Sequence, residues 1–554
     1  MSKQMKPLLR VADLLIKSLE AEGCEYMFAV PGEENLDVLD ALKDSTIRLI
    51  LTRHEQGAAF MAATYGRLTG KVGVCMATLG PGATNFVTPA AYAQLGGMPL
   101  LMITGQKPIK HSKQGRFQIV DVLRVMEPVT KLSRQIIHAS GVAATVREAV
   151  RLAEEEKPGA VLLELPEDVA AEETRDYHFI SAPVRNYAVP SEDQLEHAAQ
   201  LIRNSKHPLV MLGAGANRHS VQQALEGFIA TTGLAFFVTQ MGKGVLDESS
   251  PLYLGTAALS QGDYLHCAIE RADLIINVGH DVVEKPPFFM QDGGLQVLHI
   301  NYKAAEIDTI YFPQQQLVGD VAASINGLSA KLADLKPDTD YYKRVAQQVL
   351  AHTQAGSHED TFPLSPNRIV HSVREVMGKK DIIALDNGVY KIWFARNYPA
   401  YSPNTILLDN ALATMGAGLP SAMLAALHYP EKRVMAVCGD GGFMMNSQEL
   451  ETSVRLGLNL VVMVINDGSY GMIRWKQEQS GFADWGLQYG NPDFVLYAQS
   501  YGAKALRASS AEPLPVTLEK AFGFGGVVLV DVPVDYSDNS KVLIHELANQ
   551  VCML

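Results

Sequence analysis

Short apolar runs alternate with stretches of helical periodicity along the first third of this chain. The apolar runs predict strands at residues 26–30, 48–51, 72–77, 100–104 and 160–164. Apolar residues also recur at helical spacing, beginning with Leu8, Val11, Leu14, Leu15 and Leu19. Alternating strands and helices are typical of a mostly parallel sheet that is covered by helices on both faces.

The same alternation returns twice further along the chain. The second segment predicts strands at 208–212, 274–278 and 297–301, and the third at 382–385, 405–408, 434–437, 460–465 and 527–532. An acidic, proline-containing stretch at 166–190 and a polar stretch at 335–366, which contains one helix, separate the segments. The first and third segments are candidates for one duplicated fold, although their sequences are not visibly similar.

A chain of 554 residues is too long for a single hydrophobic core. We therefore predict an α/β protein of three doubly wound parallel-sheet domains. The predicted parts are an N-terminal domain at 1–185, a central α/β domain at 186–340, a linker at 341–365 and a C-terminal domain at 366–554. A nucleotide- or FAD-binding-like fold stays open for the central domain, because Gly213-Ala214-Gly215 after a strand is only a weak nucleotide signal.

Composition narrows the class of protein. A content of 47% hydrophobic and 19% charged residues is typical of a globular enzyme and excludes wholesale disorder. The net charge of −13 argues against a nucleic-acid partner. No apolar run approaches the roughly 18 residues of a membrane helix, and the five cysteines lack metal-binding spacing. We therefore expect a cytoplasmic protein with reduced, buried thiols.

Two predicted strand ends in the third segment carry the residues of a metal and phosphate site. One strand runs into Gly439-Asp440-Gly441-Gly442, and the next runs into Asn466 and Gly468. A carboxylate, an amide oxygen and a turn carbonyl are ligands that Mg²⁺ accepts when a phosphate completes its shell. The bare glycine backbone can approach phosphate oxygens. The sequence therefore predicts a diphosphate held through a divalent metal.

Glu55 stands at a predicted strand-to-helix junction in the first segment. A glutamate in this position is most often a carboxylate stabilised by the helix dipole. The helix that follows is too apolar for a solvated face, so we expect Glu55 at the edge of a dry cavity, where it can hold or share a proton. Gly80-Pro81-Gly82 predicts a tight turn before a helix, and its backbone can also approach a ligand.

Five motifs occur in an informative order: Val30-Pro31-Gly32, Arg53-His54-Glu55, the run from Gly80 to Asn85, Thr414-Met415-Gly416, and the Asp440/Asn466 pair. The set resembles the thiamine-diphosphate-dependent 2-oxo-acid enzymes. Within them, the chain most resembles the catalytic large subunit of the acetolactate (acetohydroxyacid) synthase family, nearly from end to end. The resemblance implies the thiamine-diphosphate enzyme fold. It also implies a homodimer or homotetramer, with the active site at the subunit interface.

The resemblance also implies roles for individual residues. Glu55 would bond the aminopyrimidine ring of the cofactor, the Ala413 carbonyl would accept from its amino group, and Met415 would separate the two rings. The implied Mg²⁺ ligands are Asp440, Asn466 and the carbonyl of Gly468. The other implied cofactor-binding residues are Gly32, Gly388, Gly441 and Gly442.

Enzymes of this family remove CO₂ from a 2-oxo acid such as pyruvate, and what then happens to the remaining two-carbon unit distinguishes their activities. Phe117 and Gln118 match a Phe-Gln loop of acetolactate synthases, in which the glutamine lines the site of the second substrate. Decarboxylases of the family carry adjacent histidines near this loop, and here only His111 is present. We therefore predict a carboligase that decarboxylates pyruvate and joins the two-carbon unit to a second 2-oxo acid. The alternatives are a 2-oxo-acid decarboxylase or other thiamine-diphosphate lyase, an oxidase, and a catalytically silent cofactor-binding protein.

Departures from the family pattern leave the acceptor open. Lys476 stands where the family carries an acceptor-site tryptophan or glutamine, and Trp475 is one place away, so both are candidate substrate contacts. Glu33 and Glu34 follow Gly32 where the family prefers small residues. Residues 389–390 are Val-Tyr, where a polar residue and a histidine usually meet the diphosphate.

The central segment gives opposing signals about flavin. Residues 279–286 lack the arginine-rich stretch of FAD-bearing members and look like flavin-free catabolic enzymes, whereas residues 240–244 resemble the flavin branch. FAD is therefore possible but not favoured, beside thiamine diphosphate and Mg²⁺. A biosynthetic role in branched-chain amino acids, a catabolic role and a small regulatory subunit all stay open.

Overall fold

The computed structural model describes residues 6–110, 115–180, 186–359, 361–548 and 552. The chain forms two compact units. One comprises Met1–Arg185, Ala411–His428 and Asn446–Leu456, and the other comprises Asn186–Asn410, Tyr429–Met445 and Gly457–Leu554. Two short segments of the C-terminal third therefore belong to the same unit as the N-terminal domain.

The strands, in chain order, are β1 (Leu9–Arg10), β2 (Tyr26–Val30), β3 (Arg48–Leu51), β4 (Gly73–Ala77), β5 (Leu100–Gln106), β6 (Leu132–Gln135), β7 (Ala160–Pro166), β8 (Glu173–Thr174), β9 (Pro208–Leu212), β10 (Phe236–Thr239), β11 (Tyr253–Ala257), β12 (Leu274–Val278), β13 (Gln296–Asn301), β14 (Gln315–Val318), β15 (Ile382–Leu385), β16 (Ile406–Leu407), β17 (Val434–Gly439), β18 (Leu460–Asn466), β19 (Lys504–Arg507) and β20 (Val527–Pro533).

The helices are α1 (Val11–Ala21), α2 (Leu36–Lys43), α3 (Glu55–Thr69), α4 (Gly80–Thr84), α5 (Val87–Gly96), α6 (Val122–Met126), α7 (Val142–Glu154), α8 (Glu167–Ala170), α9 (Glu192–Asn204), α10 (His219–Thr232), α11 (Tyr264–Arg271), α12 (Val321–Lys331), α13 (Asp340–Gln354), α14 (Pro366–Val376), α15 (Val389–Asn397), α16 (Gly418–His428), α17 (Asp440–Asn446), α18 (Glu449–Arg455), α19 (Gly471–Gln479), α20 (Phe494–Ser500), α21 (Leu514–Phe524) and α22 (Glu546–Ala548).

Three six-stranded parallel sheets organise these elements, which confirms the prediction of three doubly wound α/β domains. The sheet orders are β3-β2-β4-β5-β7-β6, β11-β10-β9-β12-β13-β14 and β16-β15-β17-β18-β20-β19. Counted within each sheet, the first and third share the order 2-1-3-4-6-5, whereas the central sheet has the order 3-2-1-4-5-6 that is typical of dinucleotide-binding folds. The first and third domains therefore share one topology.

The apolar runs predicted the buried strands well but missed most edge strands. β6, β11, β14 and β19 each form the edge of a sheet, and β6 and β19 contain no fully buried residue. Polar residues are tolerated at an edge, so these strands lack a continuous apolar run. β10 is different, because all four of its residues are buried and its apolar run was overlooked.

Helix α13, which lies in the predicted linker, packs on the central sheet. Its residues Tyr342, Val345 and Val349 belong to one hydrophobic cluster with Leu209 and Ile275 of the central strands. This amphipathic helix is therefore part of the core of the second unit. The domain boundaries stay a prediction.

The prediction of five reduced thiols is wrong for two of them. Cys267 and Cys552 form a disulfide with a Cα separation of 5.6 Å, although 285 positions separate them in the sequence. No local spacing signals a pair that only the path of the chain brings together. Cys24, Cys75 and Cys438 are buried thiols. Within the described residues, no helix combines the length and apolarity needed to cross a membrane.

Candidate active site

The carboxyl ends of two neighbouring strands in the third sheet carry Asp440 and Asn466. β17 ends at Gly439, where α17 begins with Asp440, and β18 ends at Asn466 itself. The parallel strands pair Gly439 with Ile465, so the residues that follow leave the same edge side by side. The structure therefore brings these two predicted metal ligands together.

Four donors from the described segments surround the Asp440 carboxylate, which is buried. The backbone N–H groups of Gly441 and Gly468 donate to Oδ1 at 2.9 Å and to Oδ2 at 2.8 Å, respectively. The Tyr489 hydroxyl donates to Oδ1 at 2.9 Å, and Asn491 Nδ2 donates to Oδ2 at 2.6 Å. Sequence analysis missed Tyr489 and Asn491, whose signal is a turn-rich Tyr-Gly-Asn-Pro-Asp stretch.

The Asn466 amide is oriented by partners behind it. Its Nδ2 donates to Asp531 Oδ1 at 3.0 Å, and Arg507 Nε donates to the other oxygen of Asp531 at 2.8 Å. The Asn466 Oδ1 atom accepts from Asn491 Nδ2 at 3.0 Å. Because the nitrogen is engaged with Asp531, the amide oxygen is directed toward the surroundings of Asp440.

The oxygen donors at this edge fit Mg²⁺. The Gly468 carbonyl accepts from the Tyr489 N–H at 3.2 Å, which leaves one of its two lone pairs for a cation. Among the described residues, no group of three His, Cys, Asp or Glu side chains could hold a metal. A carboxylate, an amide oxygen and a carbonyl are donors that suit Mg²⁺ better than zinc.

Two of the glycines predicted to line a diphosphate, Gly388 and Gly442, lie where neighbouring side chains leave no room for a Cβ. A Cβ on Gly388 would lie 2.4 Å from the Tyr390 ring, and one on Gly442 would lie 2.5 Å from Asp386 Oδ2. The buried Tyr390 hydroxyl also accepts the N–H of Gly439 at 2.9 Å. Tyr390 therefore packs against this turn, and a larger residue at Gly388 or Gly442 would collide with the Tyr390 ring or the Asp386 carboxylate.

In the first unit, α3 begins at Glu55 as predicted. The Glu55 side chain is 13% exposed and accepts from Asn85 Nδ2 at 2.8 Å. A Cβ on Gly82 would lie 3.2 Å from Glu55 Oε1, so the backbone at Gly82 approaches the carboxylate closely. The turn predicted at Gly80-Pro81-Gly82 is instead the beginning of the short helix α4. Gly32 is constrained in the same way, because its Cβ would lie 2.4 Å from Thr78.

A second carboxylate, missed by sequence analysis, fixes the start of α3. Glu449 is fully buried and accepts the backbone N–H groups of Arg53 and His54, both at 3.0 Å. The Thr452 hydroxyl donates to its other oxygen at 2.7 Å. Burial raises the pKa of the Glu449 carboxyl despite these hydrogen bonds. Glu449 therefore holds the backbone that immediately precedes Glu55.

The loop that carries Ala413 and Met415 is tied to α3 within the same unit. The buried Asn446 amide donates to Gln56 Oε1 at 2.9 Å and to the Gly416 carbonyl at 2.7 Å. Ala413 has a φ of +55°, in the left-handed region, which costs an alanine on the order of 1 kcal/mol. Such strain persists only where the surroundings hold the backbone in place.

The candidate substrate residues differ in exposure. Phe117 is 67% exposed, and Gln118 is exposed with a φ of +57°. His111 lies outside the described residues. Trp475 is buried, whereas Lys476 is exposed and lies 4.9 Å from the Trp475 ring. The Lys476 ammonium also donates to Gln479 at 2.9 Å.

Comparison with known proteins defines the class of protein. Three family models match the chain: the N-terminal TPP binding domain of thiamine pyrophosphate enzymes at residues 9–125, the central domain at 195–328 and the C-terminal TPP binding domain at 386–532. The chain thus has the fold and the three domains of a thiamine pyrophosphate (thiamine diphosphate) enzyme.

Curated relatives narrow this class. The chain is 31% identical to an acetolactate synthase of Bacillus subtilis (strain 168), over 99% of this chain and 98% of that protein. It is 31% identical to a catabolic acetolactate synthase of Raoultella terrigena, over 96% of each chain. Identity to the acetolactate synthase large subunit of Corynebacterium glutamicum is 31%, over 92% of this chain and 84% of that one. The chain belongs to the acetolactate synthase family of thiamine-diphosphate-dependent enzymes, which confirms the resemblance seen in the motifs.

Proposed function

We propose that this chain is an acetolactate-synthase-type carboligase, which decarboxylates pyruvate and joins the two-carbon unit to a second 2-oxo acid. The observation that carries the proposal is the pairing of Asp440 and Asn466 at adjacent strand ends, in a chain that matches acetolactate synthases over nearly its whole length. When bound, thiamine diphosphate supplies the electron sink that decarboxylation of a 2-oxo acid requires.

The third sheet would hold the diphosphate through Mg²⁺. Asp440, Asn466 and the Gly468 carbonyl provide the protein oxygens, and Asp531 keeps the Asn466 amide in the orientation that coordination needs. The N–H groups of the turn that starts at Gly441 lie at the beginning of α17, where backbone donors and the helix dipole favour an anion.

The first sheet would hold the ring end of the cofactor and manage the proton. Glu55 accepts one hydrogen bond from Asn85, which leaves acceptor positions on the carboxylate for a ring nitrogen. With these positions available, the Glu55 carboxylate can accept a proton from that nitrogen and return it. The Ala413 carbonyl and the Met415 side chain are the other proposed ring contacts.

Gln118 and Phe117 are the proposed contacts to the second 2-oxo acid, with Trp475 and Lys476 as weaker candidates because the indole is buried. Assembly into a homodimer or homotetramer is part of the proposal. The central sheet has a strand order that is typical of dinucleotide-binding folds, so FAD stays open as an additional cofactor beside thiamine diphosphate. Residues 279–286 do not favour it.

Product analysis tests this function. The purified protein receives thiamine diphosphate, Mg²⁺ and pyruvate, alone or paired with other 2-oxo acids, and the products are identified by mass spectrometry. We expect a 2-aceto-2-hydroxy acid and CO₂, with no oxygen consumed. Acetaldehyde as the sole product would establish a decarboxylase instead. Oxygen uptake would identify an oxidase, and no turnover with any acid would favour a silent cofactor-binding protein.

A further inference from the structure

The hydrogen bonds of the Asp440 carboxylate leave no acceptor position free. A carboxylate offers about four lone-pair positions, and the four donors described above take two on each oxygen. A cation that binds Asp440 must therefore replace one of them. The two backbone donors, from Gly441 and Gly468, are fixed by the turns that carry them. The donor that the cation replaces is therefore the Tyr489 hydroxyl or the Asn491 amide.

The Tyr489 hydroxyl has an alternative acceptor, because the Ser469 carbonyl lies 3.1 Å from its oxygen. A hydroxyl rotates freely about its C–O bond, so Tyr489 can turn to Ser469 without losing its hydrogen bond. The oxygen that Tyr489 contacts is Oδ1 of Asp440. Oδ1 is therefore the oxygen that a metal ion can take at the lowest cost.

Asn491 differs from Tyr489, because its side-chain nitrogen donates to both proposed metal ligands, Asp440 and Asn466. Its Nδ2 atom lies 2.6 Å from Asp440 Oδ2 and 3.0 Å from Asn466 Oδ1, so each of its two N–H groups serves one residue. Turning this amide away would remove one of the two donors to Asp440 Oδ2 and, at the same time, the hydrogen bond to Asn466 Oδ1. Resting on the proposed function, we propose that Asn491 is a positioning residue of the metal site. It holds the Asp440 and Asn466 side chains together while Tyr489 yields Oδ1 to the cation.

The distinguishing experiment measures metal binding rather than turnover. Mn²⁺ is titrated into the full-length protein with saturating thiamine diphosphate, and free Mn²⁺ is followed by electron paramagnetic resonance. We expect Asn491→Ala to raise the Mn²⁺ dissociation constant about 10-fold or more, which is the usual size of an outer-shell effect. Tyr489→Phe should leave it unchanged or lower it. Gln488→Ala, an exposed neighbour on the same segment, serves as the matched control and should match the wild type.

Thermal unfolding without metal separates positioning from folding. Asn491→Ala should unfold at nearly the wild-type temperature when metal is absent, because its proposed role is exerted on the ligands. Wild-type Mn²⁺ affinity in Asn491→Ala, or a loss in Tyr489→Phe as large as that in Asn491→Ala, would overturn the inference. A wild-type protein that binds no Mn²⁺ even with thiamine diphosphate would instead overturn the proposed metal site itself.

Discussion

The first and third sheets have the same strand order but carry different chemistry on corresponding loops. After the third strand of each sheet, one chain segment enters Gly80–Thr84 and the other enters Asp440-Gly441-Gly442. After the second strand, one leads to Glu55 and the other to the loop of Met415. One topology thus offers the same set of strand ends twice, and the residues placed there decide what each set binds.

The two carboxylates show the difference most clearly. Glu55 accepts one hydrogen bond from a side chain, Asn85, and stands at the start of a long helix. Asp440 accepts four, two of them from the backbone. A sparsely bonded carboxylate has positions left at which it can exchange a proton with a ligand, whereas a fully bonded one is held in place and offers an oxygen to a metal only when one of its donors leaves.

The largest effect is expected from removing the charge at the third sheet. Asp440→Asn should weaken Mn²⁺ binding, measured with thiamine diphosphate present, by at least about 100-fold, more than an outer-shell change would. Without metal, the variant should unfold at a somewhat lower temperature than the wild type, because the amide NH₂ group cannot accept the two hydrogen bonds that one Asp440 oxygen accepts. If Asp440→Asn bound Mn²⁺ as tightly as the wild type, Asp440 would not be a ligand of the metal.

Glu55→Gln should lower kcat by about 100-fold or more, the usual contribution of a general acid or base. Because the metal site lies on the other sheet, Mn²⁺ affinity should remain within about threefold of the wild type. Glu226→Gln, an exposed glutamate on α10, is the matched control. Near-normal kcat in Glu55→Gln would show that the first sheet does not handle the proton.

The central sheet extends the comparison with a further buried carboxylate. Glu284 follows β12 and accepts from the Thr239 hydroxyl at 2.6 Å and from the Met241 N–H at 3.1 Å. Complete burial raises the pKa of Glu284 from its ordinary 4.5 to about 7. The folded protein therefore binds this proton more tightly than the unfolded chain does.

The contribution of Glu284 to the free energy of unfolding should consequently fall as the pH rises from about 4.5 to about 7 and stay level above that. This fall should amount to about 3 kcal/mol. Urea unfolding at pH 5 and pH 8 measures the fall for the whole protein, which should be about 3 kcal/mol smaller in Glu284→Gln than in the wild type and unchanged in the exposed Glu270→Gln. If the free energy of unfolding depended on pH identically in Glu284→Gln and the wild type, the proposed contribution of Glu284 would be wrong.

Local patterns predicted much of this architecture. Strands such as β2, β9 and β12 are short apolar runs because both faces of a parallel sheet are covered, and their bounds agree with the prediction. Glu55 and Asp440 were found because functional residues follow strand ends. Asn85, Glu449 and Asn491 were not, because each acts on a partner that is distant in the sequence.

The sequence alone determined the α/β class, the family, and the residue types that suit a metal, a diphosphate and a proton. Tertiary structure alone decided that Cys267 meets Cys552, that Trp475 is buried, and that Asn491 bridges Asp440 and Asn466. Periodicity and strand-end motifs arise from neighbours along the chain, which a sequence displays directly. Contacts between distant segments depend on how the sheets and loops are packed, and no local pattern encodes them.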